Sequence, residues 1–282
     1  MEEKEIKSIE KDLIAFNRYG GFANSGKEYW ILNSDTPTPW CNVLANENFG
    51  TIVSTKGIVY TYFKNSREFK ITNWANDWTS LDLGERISGM FEGQHNLIYG
   101  LGYVIVKEED KTFKKRCKIF VPTDTDVKVQ NFKIENISDT EDVFELEYTL
   151  LPCLGVSYDV DSENITSKEY LDDTILLKNP YSKYFGDCVC YFSAVKNSST
   201  KMDVEVNKDK YSIKVKCYLK PGEIARFTIL LGAVEEENLD TAKIKIDSIK
   251  LKYSDIKSID NSLKAVKKYW EEKVVRNFDT RW

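Results

Sequence analysis

Phe144–Leu151 reads FELEYTLL. Phe144, Leu146, Tyr148 and Leu150 alternate with Glu145, Glu147 and Thr149. A period of two puts the large apolar side chains on one face and the acids on the other, the pattern of a strand buried on one side. The same period recurs around it. DVEVN and YSIKVKC flank the polar KDK and read as a hairpin over 203–217, and RFTILLGA (226–233) reads as a further strand. VKVQNFKIEN (127–136) changes phase midway, which predicts a β-bulge. Many short strands with turn residues between them predict a mainly β sandwich rather than alternating β–α–β units.

The two ends of the chain have a different character. Ile6, Ile9, Leu13, Ile14 and Phe16 stand near helical spacing and predict an N-terminal amphipathic helix over 1–17. The turn-rich YGGFANSGKEYWI follows and opens a sandwich expected to span 18–235. Residues 236–282 are rich in Lys and Glu, with Ile259, Leu263, Val266, Trp270 and Val274 at helical spacing. They predict two helices joined around Ser254–Asp260. Their apolar stripe is expected to lie exposed and to want a partner, as if a further domain followed or docked there.

Composition excludes several classes. The chain has 282 residues, 41% of them hydrophobic and 13% aromatic, enough for a sizeable core. A net charge of −5 argues against nucleic acid or an anionic membrane as partner. No apolar run approaches the roughly 20 residues that cross a bilayer. MEEKEIKSIEKDL lacks the apolar core of a signal peptide, so a cytoplasmic protein is expected. Cys41, Cys117, Cys153, Cys188, Cys190 and Cys217 are expected to be small buried hydrophobes, and no metal site is expected, since Cys188 and Cys190 do not form C-x-x-C. The single histidine, His95, is expected in a loop and leaves no Ser-His-Asp arrangement. GLG at 100–102 is too short for a dinucleotide fingerprint and no Walker sequence occurs, so no cofactor is expected.

The chemistry-bearing stretch is NSREFKITNWANDW (65–78). Trp40, Asn42, Asn46, Asn48, Asn65, Arg67, Glu68, Trp74, Asn76, Asp77 and Trp78 lie close in sequence, and Glu68, Asp77, Asp82 and Glu85 are the acids of this polar-aromatic cluster. Two readings stay open. Indole and phenol faces stack on sugar rings while amides and carboxylates grip vicinal hydroxyls, which makes a carbohydrate site. Alternatively the polar groups satisfy one another as a buried network that braces a turn, with Arg67 paired to Glu68 or Asp77.

GGFANSGKEYWIL and TPTPWCNVLANENFGTIVSTKG (20–57), followed by YTYFKNSREFKITNWANDW (60–78), resemble the N-terminal domain of glycoside hydrolase family 94. This family, formerly a glycosyltransferase family, holds cellobiose phosphorylase and the phosphorylase region of cyclic β-1,2-glucan synthase. YGLGY, FVPTDTDVKV, NFKIENISD, YTLLPCLGVS, LLKNPYSKYFGD and LKPGEIARFTILLGA recur in the family's order, and KKYWEEKVV resembles its linker helix. The resemblance covers essentially the whole chain. It implies a galactose-mutarotase-like β-supersandwich, C-terminal linker helices and then an (α/α)6 barrel. In the family that barrel carries the general acid and the phosphate site, and inorganic phosphate attacks the anomeric carbon with inversion. The sequence departs from the family pattern in three places. Only SGMFEGQHNL follows LDLGERI, Tyr99 replaces a usual histidine, and a loop between FSAVKNSS and LKPGE is short.

The resemblance therefore implies a non-catalytic supersandwich, separated from a barrel that is separately encoded or missing. The implied partners are a β-linked gluco-oligosaccharide, that barrel, and a second copy of the chain. Trp40, Asn65, Trp74, Asn76 and Trp78 are the candidates to face sugar or barrel, while Arg67, Glu68 and Asp77 are expected to hold the turn. The alternatives are a stand-alone carbohydrate-binding or regulatory module, a degenerate gene fragment, or a mutarotase-like enzyme, which would want a positioned acid and base.

Overall fold

The computed structural model describes residues 12–74, 84–183 and 185–279. The first seven strands are β1 (Ile14–Asn17), β2 (Gly20–Ala23), β3 (Glu28–Ile31), β4 (Cys41–Ala45), β5 (Phe49–Ser54), β6 (Gly57–Phe63) and β7 (Lys70–Thr72). The middle of the chain forms β8 (Glu85–Ser88), β9 (Asn96–Gly100), β10 (Tyr103–Glu109), β11 (Phe113–Phe120), β12 (Val127–Asn136), β13 (Asp142–Leu150) and β14 (Pro152–Gly155). Then come β15 (Thr166–Tyr170), β16 (Thr174–Lys178), β17 (Cys188–Lys196), β18 (Met202–Asn207), β19 (Ser212–Leu219) and β20 (Ile224–Glu235). Two helices close the described chain, α1 (Leu239–Lys252) and α2 (Ile256–Asp279). No helix among the described residues is long and apolar enough to cross a membrane.

The strands build one large layer and two smaller sheets. Eleven strands run β1-β2-β3-β9-β10-β11-β12-β20-β17-β16-β15, opposed by a four-stranded sheet, β18-β19-β13-β8, and a five-stranded one, β14-β7-β6-β5-β4. In the 144–151 stretch, Phe144, Leu146, Tyr148 and Leu150 are buried and Glu145 and Glu147 exposed. These inward residues join Val106, Cys117, Ile119, Phe132, Phe192 and Phe227 of the large sheet and Leu44, Phe49 and Ile71 of the small one in a single core. Each such side chain, fully buried, contributes about 1.5–3 kcal/mol. The layered β architecture with C-terminal helices is the mainly β sandwich that the strand pattern predicts.

The structure differs from the sequence reading at three points. Residues 14–17 of the expected N-terminal helix are the edge strand β1, while residues 1–11 lie outside the described residues. The Asn17 side-chain oxygen accepts the backbone N–H groups of Tyr19 and Gly20 at 2.8 and 3.1 Å, which turns the chain back so that Ile14 lies opposite Phe22. Second, β12 contains no bulge, and its register runs unbroken against β11 and β20. The apolar phase changes because the covered face changes. Val127 and Val129 point to the outer face beneath the helices, whereas Phe132 and Ile134 point into the sandwich. Third, the α2 stripe is not exposed. Ile259, Leu263 and Val266 bury themselves on the outer face of the eleven-stranded sheet, against Tyr103, Phe120, Val129, Tyr191 and Leu230. The helices turn at 253–255, where Asn197 Nδ2 donates to the carbonyls of Tyr253 and Ser254 at 2.8 and 3.0 Å.

Candidate functional site

The densest polar constellation lies between the layers. Thr51, Thr61 and Thr72 stand on the neighbouring strands β5, β6 and β7, with Thr51 directly opposite Thr61. β8 brings Glu85 above them, β12 supplies Lys128 and Gln130, and β13 supplies Tyr148. The Lys128 ammonium and the Tyr148 hydroxyl donate to Glu85 Oε2, and the Thr61 hydroxyl donates to Glu85 Oε1. Lys128 Nζ also reaches Thr61 Oγ1 at 3.0 Å, Thr72 Oγ1 reaches Glu85 Oε1 at 3.4 Å, and Gln130 Nε2 donates to the Tyr148 hydroxyl at 2.8 Å.

Both side chains of the Lys128–Glu85 pair are 0% exposed. Burial lowers the affinity of Lys128 for its proton, and the neighbouring Glu85 carboxylate works against that shift. Burial, reinforced by Glu85, pushes the Tyr148 hydroxyl well above the usual phenol range, and burial does the same to the Cys117 thiol beside Lys128. An acid, an amine and a phenol that present no atom to solvent cannot reach a substrate. Their chemistry is mutual satisfaction, and they tie one face of the sandwich to the other.

The surface candidates fall in three places. Trp74 lies over Tyr60, centroids 4.4 Å apart, with Tyr62 5.8 Å beyond. Burial pushes the Tyr60 hydroxyl up to about 12, and Tyr60 itself is covered by this stack. Tyr62 and Trp74 are half-buried, so a short aromatic platform runs from β6 to Trp74. Asn76, Asp77, Trp78 and Asp82 lie outside the described residues. Trp40 packs edge-on against Tyr19 and Tyr29 at 5.5 and 5.9 Å, away from that platform in an aromatic cluster with Phe22.

The turn before β7 is held by Asn65, whose side-chain oxygen accepts the N–H groups of Arg67 and Glu68 at 2.8 and 3.0 Å. Arg67 stands apart from it in solvent, and Asp77, its other expected partner, lies outside the described residues. The Arg67 side chain is 85% exposed and stands 3.7 Å from Glu68, an ion pair in solvent worth at most about 1 kcal/mol. The bracing network exists, but it belongs to Glu85 and the residues that meet it from β5–β7, β12 and β13. Asn42 and Asn46 are also structural. Asn42 donates to the carbonyls of Gly100 and Tyr103, and Asn46 to those of Pro122 and Thr125.

His95 lies in the loop before β9, as expected, but it is buried there. It is 4% exposed, with its ring nitrogens 2.7 Å from the Gly93 carbonyl and 3.0 Å from that of Thr55, so it pins 93–95 to the β5–β6 turn. Tyr99 donates to the Trp40 carbonyl at 2.8 Å, and burial pushes its hydroxyl far up, with Cys41 adding to the shift. Cys41 is the exposed cysteine, and the other five are buried.

The sequence profile of the glycosyl hydrolase 94 supersandwich domain matches residues 27–87 and 92–212, well over half of the chain. The N,N′-diacetylchitobiose phosphorylase of Vibrio proteolyticus is 22% identical over 92% of this chain and 38% of its own length. The cyclic β-(1,2)-glucan synthase NdvB of Rhizobium meliloti is 42% identical over 79 residues, 27% of this chain and 3% of that protein. The chain thus spans little more than a third of the phosphorylase, and far less of the synthase. A human-microbiome protein described as a kojibiose phosphorylase superposes with a TM-score of 0.52 at 13% identity, over 90% of this chain and 38% of that one. With a supersandwich of the expected layers and a matching profile, the chain belongs to the glycosyl hydrolase 94 supersandwich family.

Proposed function

We propose that this chain is the supersandwich portion of a family 94 glycoside phosphorylase and performs no bond-breaking step of its own. It would support an (α/α)6 barrel and lend that barrel an aromatic surface for a β-linked oligosaccharide, with inorganic phosphate as co-substrate of the assembled enzyme. The observation that carries this reading is the burial of Glu85, Lys128 and Tyr148. Glu85, the carboxylate with the richest set of partners among the described residues, is committed to the interior. The chitobiose phosphorylase relatives add N-acetylglucosaminyl disaccharides to the glucosyl ones as substrates worth offering.

The direct test mixes the chain with a barrel from a family 94 enzyme and follows phosphate consumption in the presence of cellobiose, laminaribiose, sophorose or chitobiose. Activity of the mixture and silence of the chain alone are expected. Glycosyl phosphate formation or sugar mutarotation by the chain alone would overturn the reading. The Tyr62–Tyr60–Trp74 platform favours a second reading, a stand-alone carbohydrate-binding module. Calorimetry with the same sugars separates the two, because only the module binds them without a barrel.

A further inference from the structure

The outer face of the eleven-stranded sheet carries a row of cations where the helical cover ends. Cross-strand register places Lys107 of β10 opposite Arg116 of β11, Arg116 opposite Lys133 of β12, and Lys133 opposite Arg226 of β20. One row nearer the helices, Lys118 is already tied to Asp260 of α2 at 2.7 Å. Strands lie about 4.8 Å apart, so Lys107, Arg116 and Lys133 fall within about 10 Å of one another. Like charges directly opposite on a sheet destabilise it. In a chain whose net charge is −5, such a row stands out against the average.

Its charges are unevenly compensated. Lys133 meets Glu135 at 2.9 Å, Lys114 meets Glu109 at 3.1 Å, and Lys115 meets Glu108 and Asp110 at 3.4 and 3.2 Å. Lys107 stands over the Trp30 ring, 5.3 Å from its centroid. Arg116 and Arg226 have no hydrogen-bond or ion-pair partner for their side chains among the described residues, and both are half-buried. A cleft of about 460 Å³ opens over the row and is lined by Lys107, Arg116, Lys133, Gln94 and Asn96 as well as the already paired Lys114, Lys115, Glu108 and Glu109. Asn96 lies opposite Lys107 and extends the row with an uncharged amide.

We propose that this cleft is a binding site for a phosphoryl group, carried by inorganic phosphate or by a phosphorylated sugar. A half-buried Arg116 flanked in one cross-strand row by Lys107 and Lys133 suits a dianion better than a single carboxylate. A guanidinium held on a strand can take two oxygens of a tetrahedral anion in parallel, leaving the remaining oxygens to the flanking ammonium groups. Gln94 and Asn96 stand where hydroxyls of an attached sugar would be read. The site lies at the end of β9–β12, with its cationic row on the outer face, and uses none of the residues of the interior network or of the Trp74 platform, so it stands independently of the proposed function.

The test is calorimetric titration of the whole chain at low ionic strength with inorganic phosphate and with glucose 1-phosphate, using wild type, Arg116→Gln, Lys107→Gln and the control Lys210→Gln. Lys210 is exposed on the turn between β18 and β19. The expected result is binding that weakens at least about tenfold in Arg116→Gln and severalfold in Lys107→Gln, is unchanged in Lys210→Gln, and fades as salt rises. Equal affinity for the two ligands assigns the cleft to the phosphoryl group alone, and tighter binding of glucose 1-phosphate adds the sugar to what it reads. Should Arg116→Gln not fold, Lys107→Gln, whose side chain is exposed, decides alone. Undiminished binding in Arg116→Gln or, failing that, in Lys107→Gln overturns the proposal. So does the absence of binding to either ligand at millimolar concentration, or capture of a polyanion such as heparin that phosphate does not displace.

Discussion

Replacing Lys128 by methionine keeps the length of the side chain and removes its charge. Glu85 then keeps the hydroxyls of Thr61, Thr72 and Tyr148 but loses its cation in a site with no access to water. Stranding one partner of a buried pair costs about 3–5 kcal/mol. With a urea slope of about 2–3 kcal/mol per molar for a domain of this size, the unfolding midpoint should fall by roughly 1–2 M. Glu85→Leu strands the ammonium instead and should cost a similar amount. In the double variant neither charge remains, and Tyr148 can turn its hydroxyl to Gln130 Oε1, which has no partner in the wild type. The double variant should therefore be more stable than either single one, since apolar replacement of a whole buried pair is often neutral. Urea titrations followed by tryptophan fluorescence measure all four corners of the cycle. Single variants costing under about 1 kcal/mol, or costs that simply add, would refute the account of the pair as mutually dependent.

Four further outcomes are expected. Gly102→Ala should destabilise by more than about 1 kcal/mol, because Gly102 has φ +79° and a Cβ there would overlap the Trp270 indole and Val266 of α2; thermal melting and faster proteolysis of the helix check it. Asn238→Ala removes the side chain that accepts the N–H groups of Asp240 and Thr241 at the start of α1 and should cost about 1 kcal/mol in the same assay. The Ser258 N–H and hydroxyl, which donate to Asp255, hold its carboxyl below the usual aspartate range. A folded value below the unfolded one gives stability that is full above the unfolded value and is lost as pH falls through the folded value. Melting temperatures should therefore drop on acidification below roughly pH 4, and Asp255→Asn should show a smaller drop. Under native conditions a thiol reagent should modify Cys41 quickly and the five buried cysteines only after unfolding; neighbouring atoms partly desolvate the otherwise exposed Cys41 thiol and raise its pKa, so the fast phase should accelerate at alkaline pH.

Strands with one wet face were legible. In β13 and in the β18–β19 hairpin the solvent imposes the alternation, so the pattern names both the element and its inward residues. β12 is covered on both faces over its first half, and there the alternation carries no signal about which side is the core. Lys128 and Gln130 point inward, although ammonium and amide groups usually face water. The phase change in VKVQNFKIEN is the trace of this double cover and not of a bulge. Glu85 was visible as an acid near aromatics, but its partners come from strands 43 and 63 positions downstream, beyond the reach of local pattern. Arg67 and Glu68 illustrate the opposite case, with Asp77 outside the described residues. Adjacent on a tight turn, they were close in sequence and remained in solvent.

The interior network also dictates an order of assembly. Its members are spread from Thr51 to Tyr148, over strands of three sheets. Neither Lys128 nor Glu85 can leave water favourably before the other arrives, so no single sheet can bury its share of the network alone. Closure of the two layers is therefore a concerted late event, gated by one ionic contact of long sequence separation. Such a gate slows folding relative to a sandwich sealed by hydrocarbon alone. It also denies stability to half-assembled forms, so that the sandwich unfolds as one cooperative unit rather than layer by layer.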